Sequence, residues 1–316
     1  MQSDFDVVGV VLATDRRWDT FSRNLAGRKH YPQKGSEIKQ LKQRIDEMIK
    51  RVDLSKTLKK YKMTLYYEDD INSEGFIKKM TESRPDLFLC AAYPQIFSKE
   101  LISIPLKGAV NFHPSLLPKF RGAHPHYWAI VKGEMESGLT AHFMTEHIDN
   151  GDIIAQIKFS IENYDYAQLY RRIIEETPNL IRKVEEFFFK GNGTQIKQDE
   201  LNASYFTNDR EIHHRIFWNI HTAQEIYNLV RGGNAFCFFR CSKITIERCF
   251  ITETDSNLTN NVRVENGTIV GLHQHSIAIK ANSGIVNVTM ARYRNRKVPV
   301  QKFIMKYNPA IGEKVE

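Results

Sequence analysis

Asn111, His113 and Asp149 are the residues of this chain whose types and spacing can do chemistry. Asn111 and His113 stand two apart at the end of the apolar run 106–110. On a strand, residues two apart face the same side. An amide and an imidazole are therefore expected to look into one pocket at the strand's carboxyl end, where open α/β sheets bind ligands. Asp149 follows in a turn-like segment, His147-Ile-Asp149-Asn-Gly151-Asp152. Together they suit acyl transfer to an amine. Asn111 donates an N–H to a tetrahedral oxyanion, and loss of one such donor costs about 10²–10³ in rate. His113 donates to the same oxygen as imidazolium or accepts the amine's proton as imidazole. A nearby Asp149 fixes its tautomer and favours its charged form.

The elements that must position this trio follow from patterning. The β-branched run 6–14 reads as a buried parallel strand. The lysine- and arginine-rich stretch 16–62 contains helical spacing over 36–52, a surface helix on a long connection. Short strands are expected at 63–67 and 87–92, with a helix over 73–83 between them. After the Asn111 strand, 118–122 forms a tight turn, and a helix runs from 123 to about 132. Strands at 140–145 and 153–160 flank the Asp149 loop. A long amphipathic helix spans 166–190 and ends at Gly191-Asn192-Gly193. Beyond 203 the pattern changes to one helix, 223–231, and short strands at 235–240, 243–251, 268–272, 276–281 and 285–291. Turn residues such as Asn266-Gly267 and Ser283-Gly284 separate them. That pattern predicts a small OB-like barrel. The expected division is 1–195 for a catalytic domain and 203–316 for the second unit.

The chain has 316 residues, 41% hydrophobic and 26% charged, the balance of a soluble globular protein with two domains. Its net charge of +8 admits polyanionic partners such as nucleic acids or nucleotide diphosphates. Cys90, Cys237, Cys241 and Cys249 form no Cys-x-x-Cys pair and read as reduced thiols of a cytoplasmic protein. No run reaches the roughly 18 apolar residues of a membrane span. The pair His273-x-His275 has no third ligand near it, so no metal site is expected.

The segment Asn111-x-His113, Ser115-Leu-Leu-Pro118, Arg121-Gly122 and Asp149-x-Gly151 resembles the signature of the 10-formyltetrahydrofolate-dependent formyltransferases. The resemblance implies an α/β, Rossmann-like formyltransferase domain with a mostly parallel sheet and a smaller OB-like, β-rich C-terminal domain. It implies that Asn111, His113 and Asp149 are catalytic. Gln95, Ile96 and Phe97, together with Asp149, would line the folate pocket, and 10-formyltetrahydrofolate would be the co-substrate. Relatives carry a strand, a glycine turn and a helix before a strand like 6–14. The resemblance therefore implies either a shortened form or a missing first βα unit, with an exposed sheet edge. Three features resemble the nucleotide-sugar enzymes: the Arg121-Gly-x-x-Pro-x-x-Trp128 pattern, the Thr140-Ala-His142 histidine, and Ile216-Phe-Trp218 followed by the helix 223–231. Ser115, Arg121, Trp128 and His142 are then expected to serve the acceptor. The acceptor is expected to be a nucleotide-linked amino sugar. Methionyl-tRNA, which suits the basic charge, is the alternative, and a homodimer is an open assembly.

Overall fold

A computed structural model of the chain describes residues 7, 9–13, 54–191, 193–208, 210–253, 264–293 and 296–316. The helix expected over 36–52 lies outside the described residues. Two compact units interleave along the sequence rather than meeting at one cut. The first comprises Met1–His113, Thr140–Gln156 and Asn179–Asp199, and the second Pro114–Leu139, Ile157–Pro178 and Glu200–Glu316.

In the first unit, β1 (Gly9–Ala13) is followed by α1 (Leu54–Lys60), β2 (Thr64–Glu68), α2 (Glu74–Ser83), β3 (Phe88–Ala91), α3 (Lys99–Ile102) and β4 (Ala109–His113). β1 and β2 pair in parallel with Gly9 opposite Thr64. β3 and β4 also pair in parallel, with Cys90 opposite Asn111. α2 begins where the Ser73 hydroxyl accepts the Phe76 N–H at 3.3 Å, a serine N-cap. It buries Phe76 and Met80, which join Ile71 and Leu101 in a core touched by Val11, Tyr66 and Phe88.

The chain continues through β5 (Arg121–Gly122), α4 (Pro125–Val131), β6 (Glu136–Phe143), β7 (Ile153–Ser160) and α5 (Tyr166–Lys190). The larger sheet has the order β3-β4-β6-β7, and β1-β2 forms a sheet of its own among the described residues. β4 and β6 run antiparallel. β6 begins four residues before the expected strand, because Gly138 lies where a Cβ would stand 2.2 Å from the Ile157 carbonyl oxygen. α5 matches its expected limits. Leu169, Leu180 and Val184, all completely buried, carry its apolar stripe. The helix after the turn starts at Pro125, because His124 takes a left-handed φ of 52° as its N-cap.

The second unit adds β8 (Tyr205–Phe206), α6 (Ala223–Gly232), β9 (Phe236–Phe239), β10 (Ser242–Thr252), β11 (Ile269–Leu272), β12 (Ile277–Lys280), β13 (Ile285–Tyr293), β14 (Arg296–Pro299) and α7 (Val300–Tyr307). β8 pairs in parallel with β5, and β9 to β14 form one antiparallel sheet in the order β11-β12-β13-β10-β9, with β14 on β13. Ile226, Ile246, Ile269, Val286 and Val300 fill its core. α6 carries a reciprocal cap: the Thr222 hydroxyl accepts the Glu225 N–H, and the Glu225 carboxylate accepts the Thr222 N–H at 2.8 Å. β14 and α7 were not anticipated, because their short mixed patterns show no clean period.

The edges of this sheet are closed by residues 312–316. Glu316 N–H donates to Phe238 O at 2.8 Å, on β9. At the other edge Ile269 N–H donates to Glu313 O at 2.9 Å, and Val315 N–H donates to Gly267 O at 2.8 Å. One segment thus satisfies both the β9 and the β11 edges, and Val315 is buried. This is the OB-like closure expected from the strand pattern. Deleting residues 312–316 should destabilise the protein by about 3 kcal/mol or more, at about 0.5–1.5 kcal/mol per lost hydrogen bond plus the Val315 side chain. Urea unfolding of the truncated and full chains checks this.

Candidate active site

The register of β4 on β6 assembles the polar face. Asn111 stands opposite His142 and His113 opposite Thr140. Directly opposed residues of an antiparallel pair share a face, so alternation along both strands places all four side chains on one side. Ala109 and Val110 precede them, both buried, and anchor the strand. His113 and His142 are themselves buried, with ring centroids 6.3 Å apart and edge to face.

Asp149 reaches this face from the loop between β6 and β7. It has a left-handed φ of 52°, a conformation that aspartate tolerates better than most side chains. Two residues on, Gly151 lies so close to the chain that a Cβ would sit 1.9 Å from Phe143 O. Only glycine allows that approach. The loop is tied from behind by a residue that sequence reasoning missed. The Gln198 side-chain amide donates to both Asp149 O and Gly151 O, at 2.8 Å each. Beside it, Ile153 and Ile196 exchange backbone hydrogen bonds of 2.8 and 2.9 Å. Gln198 sits 49 residues from Asp149 in a stretch without a motif, so no sequence signal pointed to it.

The result is one carboxylate facing three side-chain nitrogens. Asp149 Oδ1 lies 3.2 Å from Asn111 Nδ2 and 3.4 Å from His142 Nε2. Asp149 Oδ2 lies 3.4 Å from His113 Nδ1. Only 12% of the Asp149 side chain is exposed, so these partners replace water. The expected trio is therefore brought together, and His142 joins it. The His142 side chain, expected to serve the acceptor, is 2% exposed and its Nε2 faces Asn111 Nδ2 at 3.2 Å. Cys90, opposite Asn111 on β3, is pushed up to about 12 by burial, with Asp149 adding to the rise, and stays a neutral thiol.

The loop after β3 forms a second feature of the same unit. Gln95 is committed to structure: its Oε1 accepts the Ile71 N–H at 3.0 Å and its amide donates to Asp69 O. Asn72 clasps the loop from the other side, donating to Ile96 O at 3.0 Å and accepting the Ser98 N–H at 2.7 Å. Phe97 packs edge-on against Tyr93, ring centroids 5.6 Å apart. Ile96 is left 66% exposed, an apolar surface held on a rigid turn.

Three residues expected at the acceptor are buried in the second unit. Arg121 is completely buried, and its guanidinium makes a two-pronged pair with Glu200 at 2.7 and 2.9 Å and donates to the Tyr205 hydroxyl. Ser115 is completely buried and donates to Lys119 O at 2.7 Å. Trp128 is buried, stacks on Phe206 with centroids 4.9 Å apart and donates from Nε1 to Thr207 O at 3.3 Å. All three hold the turn and helix around β5. Among the described residues no group of three His, Cys, Asp or Glu side chains could hold a metal ion. None of the described helices is long and apolar enough to cross a membrane.

A family model described as formyl transferase matches residues 6–184, and one described as formyl transferase, C-terminal domain, matches residues 211–308. The chain is 31% identical over 252 residues to methionyl-tRNA formyltransferase of Fusobacterium nucleatum, covering 79% of each. Among solved structures it is similar to HypX from Aquifex aeolicus in complex with tetrahydrofolic acid, with TM-score 0.55 and 19% identity over 82% of this chain. It spans less than half of HypX, 45% of that chain. It is also similar to the N-formyltransferase from Helicobacter canadensis in complex with folinic acid and dTDP-3-aminofucose, with TM-score 0.54 and 21% identity over 73% of this chain and 80% of that one. These structural likenesses are likenesses of fold.

The loop geometry makes a prediction of its own. Gln198→Ala removes both ties on the Asp149–Gly151 backbone, so the protein should lose about 1–2 kcal/mol of stability. Hydrogen exchange at the Phe143 and Ile153 amides should quicken about tenfold. Exchange measured by mass spectrometry would show it, and unchanged protection would mean the loop is held by other contacts.

Proposed function

The chain belongs to the formyl transferase family, and on that premise we propose that it moves the formyl group of 10-formyltetrahydrofolate onto the amino group of a nucleotide-linked amino sugar. The observation that carries the reading is the single carboxylate of Asp149 facing Asn111 and His113 within 3.4 Å.

The roles follow from that geometry. The donor's pterin would rest against the exposed Ile96 on the loop that Gln95 and Asn72 hold rigid. Its formyl carbonyl would lie by Asn111 and His113. The neutral amine attacks this carbon, and a C–N bond forms as the carbonyl oxygen becomes an oxyanion. Asn111 and His113 donate to that oxygen from fixed positions, which lowers the barrier because the dipoles need no reorganisation. Asp149 holds His113 through Nδ1 and so presents Nε2 to the reacting atoms. The amine's proton leaves toward the Asp149–His113 pair. Collapse of the oxyanion breaks the bond to the donor's nitrogen, which takes up the proton that the amine shed, and tetrahydrofolate departs.

For the acceptor, His142 and the helix segment around Trp128 resemble the sugar enzymes in sequence, and the Helicobacter canadensis protein of like fold was crystallised with an amino-sugar nucleotide. Methionyl-tRNA is the second reading. It is favoured by the net charge of +8 and by the 31% identity to the Fusobacterium nucleatum protein.

Asn111→Ala and His113→Ala should each lower turnover at least about a hundredfold while the protein stays folded, with an unfolding midpoint lowered by the loss of one partner of Asp149. Steady-state formylation of dTDP- and UDP-linked amino sugars by purified variants measures this. Near-parental rates would overturn the assignment of the two residues.

A further inference from the structure

His142 is buried, yet acyl transfer as described above gives it no part. Its two nitrogens have different partners. Nδ1 lies 2.8 Å from Phe143 O, the carbonyl of the next residue. A carbonyl only accepts, so Nδ1 carries a proton whatever the charge of the ring. In the neutral ring Nε2 is then bare, and it lies 3.2 Å from Asn111 Nδ2 and 3.4 Å from Asp149 Oδ1. Asn111 Nδ2 also lies 3.2 Å from Asp149 Oδ1.

These distances decide which way the Asn111 amide points. Its near neighbours on this side are two acceptors, a carboxylate oxygen and a bare imidazole nitrogen. The nitrogen end of the amide, with two hydrogens, satisfies both. The oxygen end would face two lone pairs and be repelled by each. Asp149 also faces His113, so the carboxylate alone is a shared and less directional guide. The bare Nε2 supplies the second fixed acceptor.

We propose that His142 is a positioning residue for formyl transfer: its bare Nε2 holds the nitrogen end of the Asn111 amide toward the reacting carbonyl, and its Nδ1–H on Phe143 O locks the ring in the tautomer that can do so. An asparagine turned the other way would present an oxygen to the developing oxyanion and oppose the reaction. As charge builds on the substrate oxygen, one Asn111 N–H is shared between its resting acceptor and that oxygen. The same reasoning explains why a residue with no access to substrate sits opposite Asn111 in the β4–β6 register. The proposal rests on the formyl-transfer reading for its kinetic consequence, and on geometry alone for the tautomer.

Two measurements test it. In the parent protein labelled with ¹⁵N-histidine, the neutral ring of His142 should show a protonated Nδ1 and a bare Nε2. Asn111→Ala should shift the Nε2 resonance and leave Nδ1 in place. In kinetics, His142→Asn keeps a group near Nδ1 and loses the one at Nε2. It should lower kcat about tenfold to a hundredfold, less than outright loss of an oxyanion donor, with the KM for the formyl donor within about twofold. His142→Gln, which reaches the Nε2 position, should recover most of that loss. A proton on Nε2 of the neutral ring would overturn the proposal, and so would a glutamine variant no faster than the asparagine one. A raised acceptor KM at unchanged kcat would also overturn it, making His142 an acceptor contact. If the parent transfers no formyl group at all, the functional reading fails, while the spectrum still decides whether His142 orients Asn111.

Discussion

A carboxylate withdrawn from water has to be met by hydrogen-bond donors, and in this protein that requirement organises the site. Asp149 is mostly buried; Asn111 and His113 meet it at 3.2 and 3.4 Å, and His142 stands beside them. Burying a charge without such partners would cost far more than the marginal stability of a domain allows. These three residues come from two neighbouring antiparallel strands, where opposed residues share a face. The carboxylate comes from a loop, and loops need extra restraint to hold a charge in place. Gly151 lets the backbone close on Phe143, and Gln198 ties two carbonyls of the loop at once. The site is therefore a product of register and of one tightly held turn.

The same constraint explains how one carboxylate can have several uses. Toward His113 it fixes a tautomer, and toward Asn111 it demands a donor. Both effects fix the orientation of a polar side chain on the shared face. The thiol of Cys90 stands opposite Asn111 and is kept neutral by burial, so it adds no competing charge to the face.

Much of this was legible in the sequence where short-range rules apply. The parity of Asn111 and His113 placed both on one face before any coordinate was known. The limits of the helix Tyr166–Lys190 followed from its apolar period and from Gly191 beyond it. The strand-rich pattern after 203 announced an OB-like barrel. What was not legible depends on contacts distant in sequence. Arg121 and Trp128 belong to residue types that bind ligands as readily as they fill cores, and only burial separates the two uses. His142 was noticed, but its role depends on the β4–β6 register, which no local motif encodes. Gln198 acts across 49 residues through backbone carbonyls, and any donor of that reach would look alike in sequence. The closing segment 312–316 pairs with strands through main-chain groups, which carry no residue signature.

The most direct test of the central claim is to follow mass after mixing the protein with 10-formyltetrahydrofolate and candidate acceptors. Amino-sugar nucleotides linked to dTDP and UDP would be run beside methionyl-tRNA. The expected result is the gain of one formyl group on a sugar nucleotide, with matching release of tetrahydrofolate. Formylation of methionyl-tRNA alone would contradict the acceptor assigned here. Release of formate without any formylated acceptor would make water the acceptor and contradict transfer itself.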